Sequence, residues 1–343
     1  MESKVLSRTG DSMAKTLLWL QTGACSGESL TILSAETPSI EQLIAQHSID
    51  LLWHPSLTRA SPRHYRDLLK KIESGEQVLD ILCVEGSIVT APRGTGLYDS
   101  YRGRAKMDIA QSLAAKADVV VAMGTCAAFG GIPAAEPNPS DSIGLQFDRA
   151  KAGGLLPREW RSRRGLPVIN IAGCPAHPHA MTQTLSWLTR DMPLVLDALN
   201  RPQMFFGGMV HQGCTRNEYH EYDIEDKQLG GDACLYFNLG CQGPISQAVC
   251  NTDLWNGVSS KTRAGVPCFG CTAPNFPRAV DLFATEKIGD VPTRLPLGVE
   301  RPRYMAYKNL ARAAAPERLI RKAQAATPHV TNITAKDSAD GTP

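Results

Sequence analysis

Six of the ten cysteines fall within 61 residues: Cys214, Cys234, Cys241, Cys250, Cys268 and Cys271, with His211 three positions before the first. Thiolates and an imidazole gathered this densely are ligands for a soft metal ion or an iron–sulfur cluster. Cys268-Phe-Gly-Cys271 is a C-x-x-C pair, a spacing that also serves zinc and dithiol redox chemistry, and Cys250 offers a third thiolate beside it. His211-Gln-Gly-Cys214 with Cys234 and Cys241 offers three thiolates and one imidazole. Seven ligands do not divide into two tetrahedral zinc sites, but they do divide into a four-ligand and a three-ligand cluster. Zinc stays as the alternative. Small buried hydrophobes, the bland account of cysteine, suit one or two isolated residues and not this group.

The remaining cysteines, Cys25, Cys83, Cys126 and Cys174, are scattered. Three of them follow apolar runs: Lys15–Gln21 leads to Cys25, Asp118–Gly124 to Cys126 and Pro167–Gly173 to Cys174. With Ile49–Pro55 and Val78–Glu85 these runs read as buried strands, and the segments between them, such as Pro62–Glu73, Arg104–Ala117 and Ala180–Arg190, read as helices. Strand–helix alternation with continuous rather than alternating apolar strands predicts an α/β domain with a doubly wound parallel sheet. Ligands of such sheets sit beyond the carboxyl ends of the strands. Cys25, Cys126 and Cys174, each placed in the loop after its strand, therefore meet at one edge and form a second metal-site candidate. Cys83 lies inside a strand and reads as a buried structural thiol; as a replacement ligand it would need its segment to bend inward.

Four regions follow: a polar leader 1–14, the α/β domain 15–203, a glycine-, asparagine- and cysteine-rich segment 204–290, and a tail 291–343. An irregular segment of the third kind gains order by binding metal. The tail is extended, then helical from Tyr304 to Ala325 with a break at Pro316, and carries eight Lys/Arg against three Asp/Glu from Arg301 onward. It reads as a solvated arm whose last dozen residues are disordered. A net charge of +2 gives no reason to invoke nucleic acid. No apolar run reaches the length of a membrane span and the leader lacks a secretory core, so the expected location is the cytoplasm. Ten cysteines in a reducing compartment again favour metal over disulfides.

The residues also resemble a known family, the small electron-transfer subunit of nickel–iron hydrogenases. The matching pieces run in family order over about residues 15–285: Trp19-Leu-Gln with Cys25, Val84-Glu-Gly86, Gly124-Thr-Cys-Ala127 with Gly130-Gly131, Gly173-Cys-Pro175 with His177-Pro178, His211-x-x-Cys-x-Arg216, Cys234-Leu-Tyr, Gly240-Cys-x-Gly-Pro244, Cys250, and Pro267-Cys-x-Gly-Cys271 with Pro274-Asn-Phe276. The resemblance implies a flavodoxin-like sheet followed by a smaller irregular iron–sulfur domain, with three clusters in a line. The proximal [4Fe–4S] cluster is expected at Cys25, Cys126, Cys174 and one more group, the medial [3Fe–4S] at Cys250, Cys268 and Cys271, and the distal [4Fe–4S] at His211, Cys214, Cys234 and Cys241. The nickel–iron centre of the family lies in a separate large subunit, the implied partner, so this chain is expected to move electrons from hydrogen to an unidentified acceptor. A dimer of such heterodimers is an open expectation.

Two positions depart from the family pattern. Where the family has C-x-x-C, this chain has Cys25-Ser-Gly-Glu28. Either the Glu28 carboxylate, a harder oxygen donor, ligates the fourth proximal iron, or that cluster has three irons and Glu28 is a first-turn helix acid. A carboxylate there resembles the high-affinity, oxygen-insensitive actinobacterial-type branch. Lys261 stands where a fourth medial cysteine or the usual proline belongs, and its ammonium is expected to favour the reduced medial cluster. The resemblance places Glu85 near the proximal cluster and the subunit interface, where it is expected to hydrogen-bond around the cluster or to move protons; the plain alternative is a helix- or turn-capping acid. Arg216 is expected to donate hydrogen bonds beside the distal ligands, and His177 and His179 read as structural. Two other functions use parts of this pattern: a cytoplasmic hydrogen sensor, and a ferredoxin-like or complex-I-like carrier, against which the His-x-x-Cys motif argues.

Overall fold

The computed structural model describes residues 14–46, 49–278 and 283–325; the polar leader up to residue 13 and the last dozen residues lie outside them. Contacts divide the chain into two compact units. The first runs through Gly208 and takes back a short strip beginning at Cys271, and the second begins at Met209, runs to Gly270 and includes the C-terminal helices.

The first unit is a five-stranded parallel sheet. Its strands are β1 (Lys15–Gln21), β2 (Ile49–Trp53), β3 (Ile81–Glu85), β4 (Val119–Met123) and β5 (Ile169–Ile171), in the order β5-β4-β3-β1-β2. Every residue of β3, β4 and β5 is buried, as an all-parallel sheet covered on both faces requires. The connecting helices are α1 (Gly27–Leu33), α2 (Ile40–Gln46), α3 (Pro62–Ser74), α4 (Lys106–Ala114), α5 (Gly124–Phe129) and α6 (Pro178–Thr189), followed by a short α7 (Gln203–Phe206). Helix α3 shows the local logic most fully. The Ser61 hydroxyl accepts the His64 amide at 3.2 Å, Pro62 opens the first turn, and Tyr65, Leu68, Leu69 and Ile72 bury one face. The strand order reverses beside β1, with β2 on one side and β3 on the other. The carboxyl ends of β1 and β3 therefore border the crevice where doubly wound folds bind ligands. Cys25 follows β1, Glu85 ends β3, and Cys126 and Cys174 follow β4 and β5.

Cys126 differs in one respect from its expected place in a loop. Gly124 takes φ +85 directly after β4, and the chain enters α5 with no intervening loop, so Cys126 sits in the first turn of a helix.

The second unit is mostly irregular. A 3₁₀ turn (Val210–Gly213), α8 (Asn217–Glu221) and α9 (Tyr236–Leu239) carry its loops, and α10 (Arg301–Ala313) and α11 (Glu317–Ala325) close the described chain. Its small core comprises Val210, Tyr219, Leu235, Tyr236, Leu239 and, from α11, Leu319, with Cys234, Cys241 and Cys268 buried among them. The Pro316 break expected in the tail is the gap between α10 and α11. Among the described residues no helix is long and apolar enough to cross a membrane.

Candidate functional site

None of the ten cysteines forms a disulfide. In the first unit Cys25, Cys174 and Glu28 lie close enough to Cys126 to act on it. Burial pushes the Cys126 thiol up to about 12, with Glu28, Cys174 and Cys25 reinforcing the shift and the Ile132 amide opposing it by bonding the sulfur. A buried thiol under such pressure fits metal ligation, in which a cation replaces the proton. The approach to the sulfur is narrow: a Cβ on Gly131, at φ +57, would stand 2.6 Å from Cys126 Sγ.

Glu28 is the second residue of α1, but its side chain turns inward rather than to solvent, leaving it 5% exposed. A Cβ on Gly124 would fall 2.0 Å from its Oε1, so the glycine makes room for the carboxyl. Burial, and then the neighbouring Glu85 carboxylate, push the Glu28 carboxyl up to about 8. Cys25, Cys174 and Glu28 thus stand with Cys126 as soft and hard donors, a set that fits a cluster with one oxygen ligand.

Glu85 is fully buried at the end of β3. Its carboxylate accepts Trp19 Nε1 at 2.8 Å, Gln21 Nε2 at 3.2 Å, the Glu28 and Ser29 amides at 3.1 and 3.2 Å, and Ser29 Oγ at 2.6 Å. It caps the first turn of α1 and fixes the loop carrying Cys25 and Glu28. Cys83 lies in mid-β3 between its register partners Trp19 and Val121, fully buried, and burial raises its thiol strongly. It is walled into the sheet away from the strand ends, as a structural thiol. His179 packs edge-on against Phe205, with ring centroids 5.9 Å apart, and the buried His177 occupies the N-cap position of α6, positions that suit structural histidines.

In the second unit His211, Cys214, Cys234 and Cys241 line one cavity together with Arg216, Tyr236, Asn251 and Thr262. Peptide groups point at the sulfurs: Tyr236 N lies 3.4 Å from Cys234 Sγ, and Cys268 N and Gly243 N lie 3.3 and 3.5 Å from Cys241 Sγ. Amide donors of this kind stabilise thiolates, so the cavity fits a cluster held by three cysteines and a histidine. Burial lowers the His211 pKa, which keeps its imidazole in the neutral, ligating form. Arg216 is buried, and its Nε and Nη1 donate to Thr262 O at 2.8 Å and Ala233 O at 2.5 Å, while Nη1 stands 3.6 Å from Asp226 Oδ2. Asn251 ties the same wall together, donating to Val210 O at 2.7 Å and accepting from Ser260 Oγ and Thr262 Oγ1 at 2.5 and 2.8 Å.

Of the third set, Cys268 is buried and receives the Gly270 amide on its sulfur at 3.4 Å, and Cys250 is half-buried. Cys271 opens the strip that packs with the first unit. Lys261 is exposed, with Nζ 6.0 Å from the ring of Phe269, the residue between Cys268 and Gly270.

Two further residues have no counterpart in the motifs. His220 Nδ1 lies 3.4 Å from Cys234 Sγ, and its ring meets that of His211 at 4.7 Å. Burial, with His211 beside it, lowers the His220 pKa to about 4, so its imidazole is neutral, and against a metal-bound Cys234 sulfur, which can only accept, Nδ1 would be the donor. Glu225 is half-buried, its ligand atom within 4.8 Å of those of His220 and Cys234, and burial pushes its carboxyl up to about 8. Only their closeness to Cys234 reveals them; no spacing in the sequence does.

Comparison with known proteins agrees with this geometry. The family model described as "NADH ubiquinone oxidoreductase, 20 Kd subunit" matches residues 25–188, and the model for the C-terminal region of the NiFe/NiFeSe hydrogenase small subunit matches residues 206–284. The chain is 32% identical over 286 residues to the F420 non-reducing hydrogenase II small subunit of Methanosarcina mazei, covering 77% of this chain and 73% of that one. It is 32% identical over 273 residues to the periplasmic [NiFe] hydrogenase small subunit 1 of Nitratidesulfovibrio vulgaris, covering 77% and 80%. In structure it is similar to an actinobacterial-type NiFe-hydrogenase from Ralstonia eutropha H16, with a TM-score of 0.74 at 29% identity over 94% of this chain and 95% of the other.

Proposed function

The chain belongs to the nickel–iron hydrogenase small-subunit family, and from that membership we propose that it conducts electrons through three iron–sulfur clusters, away from hydrogen oxidised in a partner large subunit, to an acceptor. When bound, the clusters supply a series of one-electron carriers. The observation that carries this reading is the cavity where His211, Cys214, Cys234 and Cys241 converge under peptide N–H groups. A carrier related only to the 20 Kd subunit family would not need it, and the C-terminal family match covers it.

We assign the distal [4Fe–4S] cluster to those four residues and the medial [3Fe–4S] cluster to Cys250, Cys268 and Cys271. The proximal cluster falls to Cys25, Cys126, Cys174 and Glu28. The inward, enclosed placement of Glu28 against Gly124 supports it as the fourth ligand of a [4Fe–4S] cluster. The carboxylate and the likeness to the actinobacterial-type structure support membership of the high-affinity, oxygen-insensitive branch. A cytoplasmic location belongs to the same proposal, because ten cysteines used as metal ligands and buried thiols suit a reducing compartment. The residues themselves shape and dry the sites: Glu85 fixes the loop of Cys25 and Glu28, while Arg216 and Asn251 hold the distal wall.

The reading is tested by purifying the chain with its partner and measuring metals. It predicts a nickel-containing large subunit and about eleven irons per copy of this chain, from the three cluster types. Four irons or fewer, or isolation without a nickel subunit, refutes it. A second expectation concerns His220. His220→Leu removes the N–H donor from Cys234 Sγ, which destabilises the electron-rich reduced cluster and lowers the distal midpoint potential. The drop should be tens of millivolts, since ~1.4 kcal/mol equals about 59 mV for one electron. Potentiometric EPR measures it, and an unchanged potential shows that His220 only packs.

A further inference from the structure

The hydroxyl of Thr125 joins three ligand-bearing segments. Thr125 is fully buried in the first turn of α5, immediately before Cys126. Its amide donates to Gly173 O at 2.8 Å, and its Oγ1 accepts from Gly173 N at 2.9 Å, so both main-chain polar groups of the residue before Cys174 are bound to it. The same Oγ1 donates its proton to the main-chain carbonyl of Cys271. One side chain therefore uses donor and acceptor together, linking the peptides that flank Cys126 and Cys174 to the peptide of Cys271. The strip that begins at Cys271 has other anchors. Arg201 Nη1 donates to Thr272 O at 3.2 Å, and Arg149 donates to Asn275, Phe276 and Pro277 carbonyls at 2.9 to 3.1 Å. The Thr125 hydroxyl is thus one anchor among several, and the one that also bonds the peptides beside Cys126 and Cys174.

We infer that Thr125 is the coupling residue between the proximal and medial centres, its hydroxyl completing a bonded route from the Cys126 and Cys174 peptides to the Cys271 peptide. This rests on the ligand assignment proposed above. Electron tunnelling decays less steeply along covalent and hydrogen bonds than across a van der Waals gap, and the route runs through one hydrogen bond between short covalent stretches. Each transfer moves one electron, supplied by hydrogen oxidation in the partner subunit and passed on to the acceptor. The hydroxyl proton stays on Oγ1, so no proton has to move with the electron.

The test uses the intact heterodimer carrying Thr125→Val, which keeps the shape and removes the hydroxyl, and Thr125→Ser, which restores it. Iron content, the EPR spectra of the clusters and their potentials are measured first, then the rate of electron equilibration between proximal and medial centres after flash photoreduction. The expected result is unchanged iron, spectra and potentials in both variants, a severalfold slower equilibration in Thr125→Val, and the native rate in Thr125→Ser. A native rate in a fully assembled Thr125→Val overturns the inference. If Thr125→Val fails to assemble, Thr125→Ser decides alone, because slow transfer there with all clusters in place overturns it equally. Absence of the medial or proximal cluster from the unmodified chain overturns the ligand assignment instead, and is recognised because no substitution is involved.

Discussion

Alanine at Gly124 should displace Glu28 and disrupt the proximal centre while leaving the distal one intact. Gly124 sits at φ +85, where an L side chain costs about 1–2 kcal/mol. The added Cβ would also stand 2.0 Å from Glu28 Oε1 and 2.4 Å from its carboxyl carbon. The amides of Glu28 and Ser29 are held by the Glu85 carboxylate, so the backbone stays in place and the Glu28 carboxyl has to swing away from Gly124. Forcing such an overlap in a packed site typically adds about 1–3 kcal/mol, for a total loss of about 3 kcal/mol. Gly75→Ala is the matched control: Gly75 has the same φ of +85 with nothing within 4 Å of the new Cβ, so it incurs the backbone cost alone. Thermal melting of the two variants isolates the clash, and EPR of the proximal cluster reports the displacement. Equal melting temperatures with a native proximal spectrum would mean that Gly124 does not house the carboxyl.

Arg216→Ala should be the most damaging substitution in the second unit. It strips donors from the Thr262 and Ala233 carbonyls and removes the cation of the Arg216–Asp226 ion pair. The pair is largely shielded, with side chains 8% and 15% exposed, so breaking it leaves an uncompensated charge at a cost of about 3–5 kcal/mol. The bonded carbonyls belong to the residue before Cys234 and to a wall residue of the distal cavity, so ligand geometry falls with stability. The measurement is iron content with a denaturant midpoint; the expected result is loss of about four irons together with the stability loss. Arg216→Lys should restore charge but not iron, because an ammonium cannot reproduce the guanidinium fork to two carbonyls. Full iron in Arg216→Lys would show that charge alone organises the wall.

The sheet was legible because its strands are apolar on both faces; Val119–Met123 is buried at every position, and a continuous β-branched run has few other uses. That Cys25, Cys126 and Cys174 each follow a strand of the parallel sheet was legible from the apolar runs before them, whereas the five donors gathered on Glu85 were not. The helical setting of Cys126 was not legible, since a glycine after a strand reads as a stop while φ +85 at Gly124 turns the chain straight into α5. Cys271 shows a different limit. It is three residues from Cys268, yet it packs with the first unit through main-chain carbonyls bound by Thr125, Arg201 and Arg149. A carbonyl acceptor is the same at every residue and leaves no trace in sequence. The same holds for Asn251, which ties irregular loops without any period, and for the carbonyl partners of Arg216, whose place beside the distal ligands came from its motif. His220 is a lone histidine on a five-residue helix, and nothing in its spacing connects it to Cys234.

In the proposed assignment the proximal cluster has one oxygen ligand, from Glu28, and the distal cluster one nitrogen ligand, from His211. Mössbauer spectroscopy of the ⁵⁷Fe-enriched heterodimer tests this most directly. The prediction is about eleven irons per chain, one in the proximal set with an oxygen ligand that becomes sulfur-like in Glu28→Cys, and one in the distal set with a nitrogen ligand. A proximal set whose irons are all sulfur-ligated in the native chain and unchanged in Glu28→Cys would contradict it.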